Sequence, residues 1–200
     1  MKENRFIHTL ALSIFSASLV SASAVTLTMG ELPNQPVNAL SFSGVTFHFT
    51  IGGIGSTDAS YNAINGGIEH FVQDPSLEGN STGVLTLDFA APTSGLQFGV
   101  ARSIIGPLSP GLQVSLFDAG LAPLGSFNVN TTVFTNFSEG QFTSALTIGR
   151  AVLTFPNAVG AARFAIDNLT FTPVPEPAIP TLAVAGLLAF RAPRRRSLRN

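Results

Sequence analysis

The chain has 200 residues and a formal net charge of −1, and charged residues make up 10% of it against a usual share of about 25%. It has no cysteine, and seven of its ten basic residues lie near the two ends, which excludes a disulfide-stapled scaffold and a nucleic-acid binder built on clustered lysines and arginines. Between Val25 and Thr172 only Arg102, Arg150 and Arg163 stand against nine acids, a net −6, and this one domain's length of chain must fold by packing.

At the N-terminus Lys2 and Arg5 precede an apolar stretch from Ile7 to Val20, and Ala22, Ser23 and Ala24 place small residues before Val25. That order is the pattern of a secretory signal peptide over residues 1–24, cleaved before Val25.

The body opens with Val25 to Leu27 and a loop punctuated by Pro33 and Pro36. Val45 to Ile51 alternates apolar and polar residues with the period of a half-buried strand, turning Val45, Phe47, Phe49 and Ile51 inward. From Gly52 to Gly83 the chain is rich in Gly, Asn, Asp and Ser and reads as one long irregular loop, a place to look for a binding surface. Val84 to Phe89 alternates again, with Leu85, Leu87 and Phe89 inward and Val84, Thr86 and Asp88 outward. Ala91 to Gly95 reads as a turn into a strand over Leu96 to Val100. Further strands are expected over 112–117, 125–129, 146–155 and 163–171, separated mainly by prolines and glycines. No body segment keeps a helical period. The predicted fold is therefore all-β, a single antiparallel β-sandwich over residues 25–172 of jelly-roll-like or immunoglobulin-like kind.

Residues 173–200 read as a separate unit. Pro175 and Pro177 fix φ and remove amide donors, so Val174, Pro175, Glu176 and Pro177 should be extended and exposed. The apolar run Ala178 to Phe190 would form a helix about 20 Å long against a hydrocarbon core of about 30 Å. Arg191, Arg194, Arg195, Arg196 and Arg199 follow it, and such arginines snorkel to headgroups and keep a tail on the cytoplasmic side. Tripeptide, apolar run and arginine cluster in this order resemble the PEP-CTERM sorting signal of Gram-negative bacteria, also described as the C-terminal domain of certain ice-binding proteins. The resemblance covers Val174 to about Arg196. It implies a short membrane-anchoring helix, processing by the transpeptidase-like membrane protease exosortase, transient residence in the inner membrane, and a final place at the cell surface or in the exopolysaccharide matrix. Pro180 departs from the pattern but would sit in the first helical turn, where proline is tolerated.

The closing strand, with its step Ile166, Asp167, Asn168, is similar to the last strand of galactose-binding-like jelly rolls and carbohydrate-binding modules. That resemblance implies Asp167 as an oxygen ligand of a structural Ca²⁺. The residues alone favour a carboxylate that satisfies a backbone amide.

Catalytic residues are not expected: the chain lacks a Gly-x-Ser-x-Gly elbow, a P-loop and a His-Glu-x-x-His pair. His48 falls on the polar face of a strand and His70 in the long loop, both reading as surface residues. Glu69, Asp74 and Glu78 offer a glycosidase-like pair, but acids spaced through a loop read first as solvated. Sugar platforms use exposed Trp or Tyr; with no Trp and one Tyr, the chain leaves Tyr61 as its candidate for glycan contact. Its threonines show no repeat of the kind an ice-binding face needs. The sequence thus predicts an exported, non-enzymatic structural protein of the cell surface or matrix. A carbohydrate-binding module delivered by the same route, with extracellular polysaccharide as partner, is the alternative, and a secreted hydrolase the remote one.

Overall fold

The computed structural model describes residues 22–64, 70–156 and 160–175, which form thirteen strands and no helix. The segment expected to be a signal peptide, as far as residue 21, Glu69, and everything from Glu176 onward, including Pro177, the apolar run and the arginines, lie outside the described residues. The strands are β1 (Val25–Leu27), β2 (Gln35–Pro36), β3 (Leu40–Phe42), β4 (Val45–Ile51), β5 (Ile54–Gly55), β6 (Ser60–Ala63), β7 (Ser76–Asn80), β8 (Gly83–Arg102), β9 (Leu108–Phe117), β10 (Pro123–Val133), β11 (Ser138–Ser144), β12 (Ile148–Thr154) and β13 (Arg163–Pro173).

All pairings are antiparallel, and β8 belongs to two sheets. Its first half lies between β4 and β12, from Gly83 opposite Ile51 to Phe89 opposite Val45. Its second half lies between β11 and β13, from Leu96 opposite Ser144 to Arg102 opposite Ser138 and Phe164. The exchange of partners falls where the sequence suggested a turn. Gly95 has φ of +66° there, a conformation that costs glycine little, so the chain bends within one strand instead of reversing. One sheet runs β3-β4-β8-β12-β9-β10, and the other β11-β8-β13-β7-β6-β2 with β1 beside the end of β13. β10 joins the two by pairing with β9 and, at Thr132 and Val133, with β11.

The core lies between these sheets because the strand period turns one apolar face of each inward. Phe47, Phe49, Leu85, Leu87 and Leu153 of the first sheet meet Phe98, Val100, Phe164, Ile166 and Leu77 of the second in one buried cluster. Rings span the gap: Phe49 to Phe164 at 5.9 Å, Phe89 to Phe171 at 5.1 Å, and Phe155 stacked on Phe164 at 3.9 Å between centroids. At one end Arg102 is fully buried. Its Nη1 donates to the Gly111 carbonyl, and Nη2 donates to the carbonyls of Pro156 at 3.1 Å and Ala161 at 3.3 Å. Burial lowers this guanidinium to about 10, still charged at neutral pH.

The long loop expected from Gly52 to Gly83 is instead interrupted by β5, β6 and β7. Between β6 and β7 the segment from His70 to Pro75 crosses the outer side of the second sheet as a strap. Val72 packs there on Ala101 and Ala165, and Gly99 lies so close beneath that a Cβ would collide with the Phe71 carbonyl oxygen. We expect Phe164→Ala to lower unfolding free energy by about 3–5 kcal/mol, measured by urea denaturation; a loss below about 1 kcal/mol would contradict the cross-sheet packing.

Candidate functional site

The outer face of the first sheet follows from the alternation of five strands. Side chains opposite the core fall in rows across the ladder: Thr46, Asp88, Arg150 and Phe117 in one, and His48, Thr86, Val152, Ser115 and Ser126 in the next. Thr50, Val84, Thr154, Gln113 and Asn128 form the third. At about 4.8 Å per strand the face is roughly 20 Å wide, and hydroxyls and amides occupy most of it. Several bond to each other across strands: the Ser115 and Ser126 hydroxyls at 2.8 Å, those of Ser41 and Thr46 at 2.8 Å, and Gln113 Nε2 donating to Asn128 Oδ1 at 3.4 Å.

Near the centre, Arg150 grips Asp88 with both arms of its fork, Nε donating to Oδ1 at 2.5 Å and Nη2 to Oδ2 at 2.9 Å. His48 Nε2 lies 3.4 Å from the same Oδ2. The hydrogen bonds to Asp88 hold the Arg150 guanidinium above its usual range. All three groups are partly exposed, so the paired Arg150 fork and Asp88 carboxylate, with His48 beside them, present donors and acceptors to solvent. Beside them a shallow cleft of about 300 Å³ is lined by Asp88, Phe89, Ala90, Pro92, Leu121 and Gly149. Asp118 Oδ1 accepts the amides of Gly120 and Ala122, both at 2.8 Å, and this turn holds Leu121 in the left-handed region at φ +63°.

No protein-family model and no curated protein matches the chain. Solved structures similar to it include a family 29 carbohydrate-binding module from Piromyces equi, with 12% identity, 78% of this chain and 93% of that one covered, and a TM-score of 0.41. A CBM29-2 variant complexed with cellulohexaose has 11% identity, 76% and 92% coverage and a TM-score of 0.40. Another, complexed with mannohexaose, has 12% identity, 76% and 93% coverage and a TM-score of 0.37.

The residues singled out from the sequence lie elsewhere. Tyr61, expected as a glycan contact, is 0% exposed. Its ring meets Phe47 edge-on at 6.2 Å, and its hydroxyl donates to Glu31 Oε2 at 2.5 Å, so it has no face to offer a sugar. Burial pushes the Tyr61 phenol up, with the Glu31 carboxylate adding to the effect. Partial burial works to raise the Glu31 carboxyl, but hydrogen bonds from Tyr61 and Thr28 outweigh it and hold the group below its ordinary value. Glu78, expected to be solvated, is buried on β7 and accepts from the Ser76 hydroxyl at 3.2 Å. His48 joins the Asp88 array, while His70 stacks on Phe134 at 4.7 Å. Val174 donates its amide to the Pro92 carbonyl at 2.7 Å, and Pro175 is exposed.

Asp167 sits at a bulge of β13, where Asn168 takes φ +54°. It is 3% exposed. Oδ1 accepts the Asn168 amide at 2.6 Å, and Oδ2 accepts Gln73 N at 3.1 Å and Asn168 Nδ2 at 3.0 Å. Among the described residues no group of three or more His, Cys, Asp or Glu is placed to hold a metal ion. Three N–H groups thus point at the Asp167 carboxylate, two of them backbone amides, which is the role the residues alone favoured. Here the carboxylate ties down the strap, as Glu139 Oε2 does by accepting Phe71 N at 2.6 Å. Burial pushes the Asp167 carboxyl up to about 6, with Glu31 and Asp74 adding and the two amides opposing.

The folded chain therefore holds a proton on Asp167 that the unfolded chain releases, so this contribution is complete below about pH 4 and lost as pH rises through about 6. We expect the stability of the protein relative to Asp167→Asn to rise by about 2 kcal/mol on going from pH 7.5 to 4.5. Thermal melts of both across that range check this, and a constant difference would contradict it.

Proposed function

We propose that the protein is an exported, matrix-associated polysaccharide binder that uses the outer face of the β4-β8-β12-β9-β10 sheet. The observation that carries this reading is the Asp88 carboxylate, clamped by Arg150 and flanked by His48 within a wide field of hydroxyls and amides. A planar donor-acceptor pair of this kind matches neighbouring hydroxyls on a sugar ring. The open shape suits an extended polymer lying across several strands better than a small molecule, which needs an enclosing pocket. Phe117, half-buried in the row of Asp88 and Arg150, and Leu121 over the cleft supply apolar surface for the C–H face of a sugar. The reading rests on this face and not on the likeness to the family 29 modules.

Delivery is the second part of the proposal. Export through the signal peptide, arrest in the inner membrane by Ala178 to Phe190, and exosortase-type processing at or near Pro175 to Pro177 would leave the sandwich outside the cell. The order of tripeptide, apolar run and arginines supports this.

Affinity electrophoresis in the producing cell's own exopolysaccharide, with soluble cellohexaose as a second probe, tests the binding. We expect retardation of the native protein, weakened about tenfold or more in Arg150→Ala, because a charge-assisted pair contributes about 1.5–3 kcal/mol. The melting temperature should move little, since a half-exposed pair contributes about 0–1 kcal/mol to folding. Unretarded native protein in both gels would reject the reading. For the sorting route, the intact mass of the secreted protein should lack Arg194 to Arg196, and a mass that retains them would reject that route.

A further inference from the structure

Both ends of the folded body leave it at one pole, where β8 bends. Val25 is opposite Phe171, Pro173 is opposite Thr93, and Val174 donates its amide to the Pro92 carbonyl at 2.7 Å. Other turns gather around this point. Ile148 is opposite Thr93 and Ser144 opposite Leu96, which brings the turn at 145–147 alongside. Leu121 and Gly149 line one cleft with Pro92, and the Gly44 carbonyl accepts the Ala90 amide at 2.9 Å. None of the residues 22–25, 42–44, 90–95, 119–126, 144–149 and 171–175 is charged. Asp118, which borders them, turns Oδ1 back on the amides of Gly120 and Ala122. Among these uncharged turns Leu121 is 52% exposed, Leu146 40% and Val174 37%.

The sequence attaches an apolar run to each of these two ends, on a short leash. From Val174 to Ala178 there are four steps of chain, which at about 3.6 Å each reach about 14 Å at most. From Val25 back to Val20 there are five, which reach about 18 Å. Both are shorter than β12, whose seven residues cover about 24 Å from this pole toward the other. Whichever run enters a bilayer, the bend pole is the part of the body it keeps near the surface.

We propose that, while the chain is anchored, this pole rests on the lipid surface with Leu121, Leu146 and Val174 turned to it. The inference rests on the sorting reading of the tail. Charge agrees with it: anionic headgroups repel a body of net −6 wherever its acids are presented, and the turns at this pole present uncharged and aliphatic side chains instead. The rows of the polar face follow one another away from the pole, Asp88 first and Thr50 last, so that face stays open beside the membrane. Leu121 belongs to the lipid only until processing frees it for the polymer.

The chain has no tryptophan, so a single introduced one reports alone. The full-length precursor carrying Leu146→Trp, reconstituted in vesicles of phosphatidylethanolamine and phosphatidylglycerol brominated on the upper acyl carbons, tests the proposal. We expect its emission to shift to the blue and to fall about twofold or more, because apolar groups at an interface sit roughly 5–10 Å deep. Leu121→Trp should respond in the same way and covers the case in which Leu146→Trp fails to fold. Ile105→Trp should keep its emission: Ile105 is 76% exposed, but it follows Arg102, which holds Pro156 at the far end of β12. In a precursor that floats with the vesicles, emission unchanged in both reporters, or lost equally in Ile105→Trp, overturns the inference alone. A precursor that does not float with them overturns the sorting reading and the inference together.

Discussion

Every other feature of this molecule depends on β8 being one strand in two sheets. Twenty residues run without interruption from Gly83 to Arg102, yet their hydrogen-bonding partners change completely between Phe89 and Leu96. The bend at Gly95 redirects the strand at low conformational cost. It turns Leu85, Leu87 and Phe89 toward the same interior as Leu96, Phe98 and Val100. A reversal at that point, as the sequence suggested, would have made a hairpin within one sheet. The bend instead brings Phe49 to Phe164 and Phe89 to Phe171 and commits the opposite side of the first half, with Thr86 and Asp88, to solvent.

The charged groups follow from the same frame. With so few in the body, each has a distinct task. Arg102 ends β8 inside the protein and gathers three backbone carbonyls, from Gly111 of β9 and from Pro156 and Ala161 between β12 and β13. Its geometry lets a guanidinium, with five donors in a plane, do what several neutral side chains would otherwise do. Asp167 and Glu139 accept alternate amides of the strap, those of Gln73 and Phe71, and so fix it on the second sheet. Arg150 and Asp88 are the pair left on an open, regular surface. That contrast separates the charges buried under chain from the pairs open to solvent, Arg150–Asp88 on the regular face of the first sheet and Arg163–Asp58 at 3.2 Å elsewhere.

Much of the fold was legible in the sequence because the two-residue period reports burial directly. Val45 to Ile51 was located to the residue, and the outward assignment of Asp88 and Thr86 follows from the same alternation. The short strands β5 to β7 were not legible, because Gly, Asn and Ser conceal the two-residue period there and β7 finds a partner far along the chain, with Glu78 opposite Ala165. The bend at Gly95 looked like a turn for a related reason: proline and glycine mark a change of direction without saying how large it is. The site was hardest to read. Asp88 and Arg150 are 62 residues apart and meet only through strand register, while Tyr61, the residue that composition favoured, is spent on bracing the core and Glu31.

The central claim is that the polar face built on the first half of β8 is where this protein meets its polymer. Amide chemical-shift mapping by NMR, during titration with oligosaccharides released from the producing cell's matrix, tests it most directly. The account predicts saturable shifts concentrated on Thr86, Asp88, Arg150, Val152 and Ser115. Shifts confined to the strap side of the second sheet, or no shifts at saturating oligosaccharide, would contradict it.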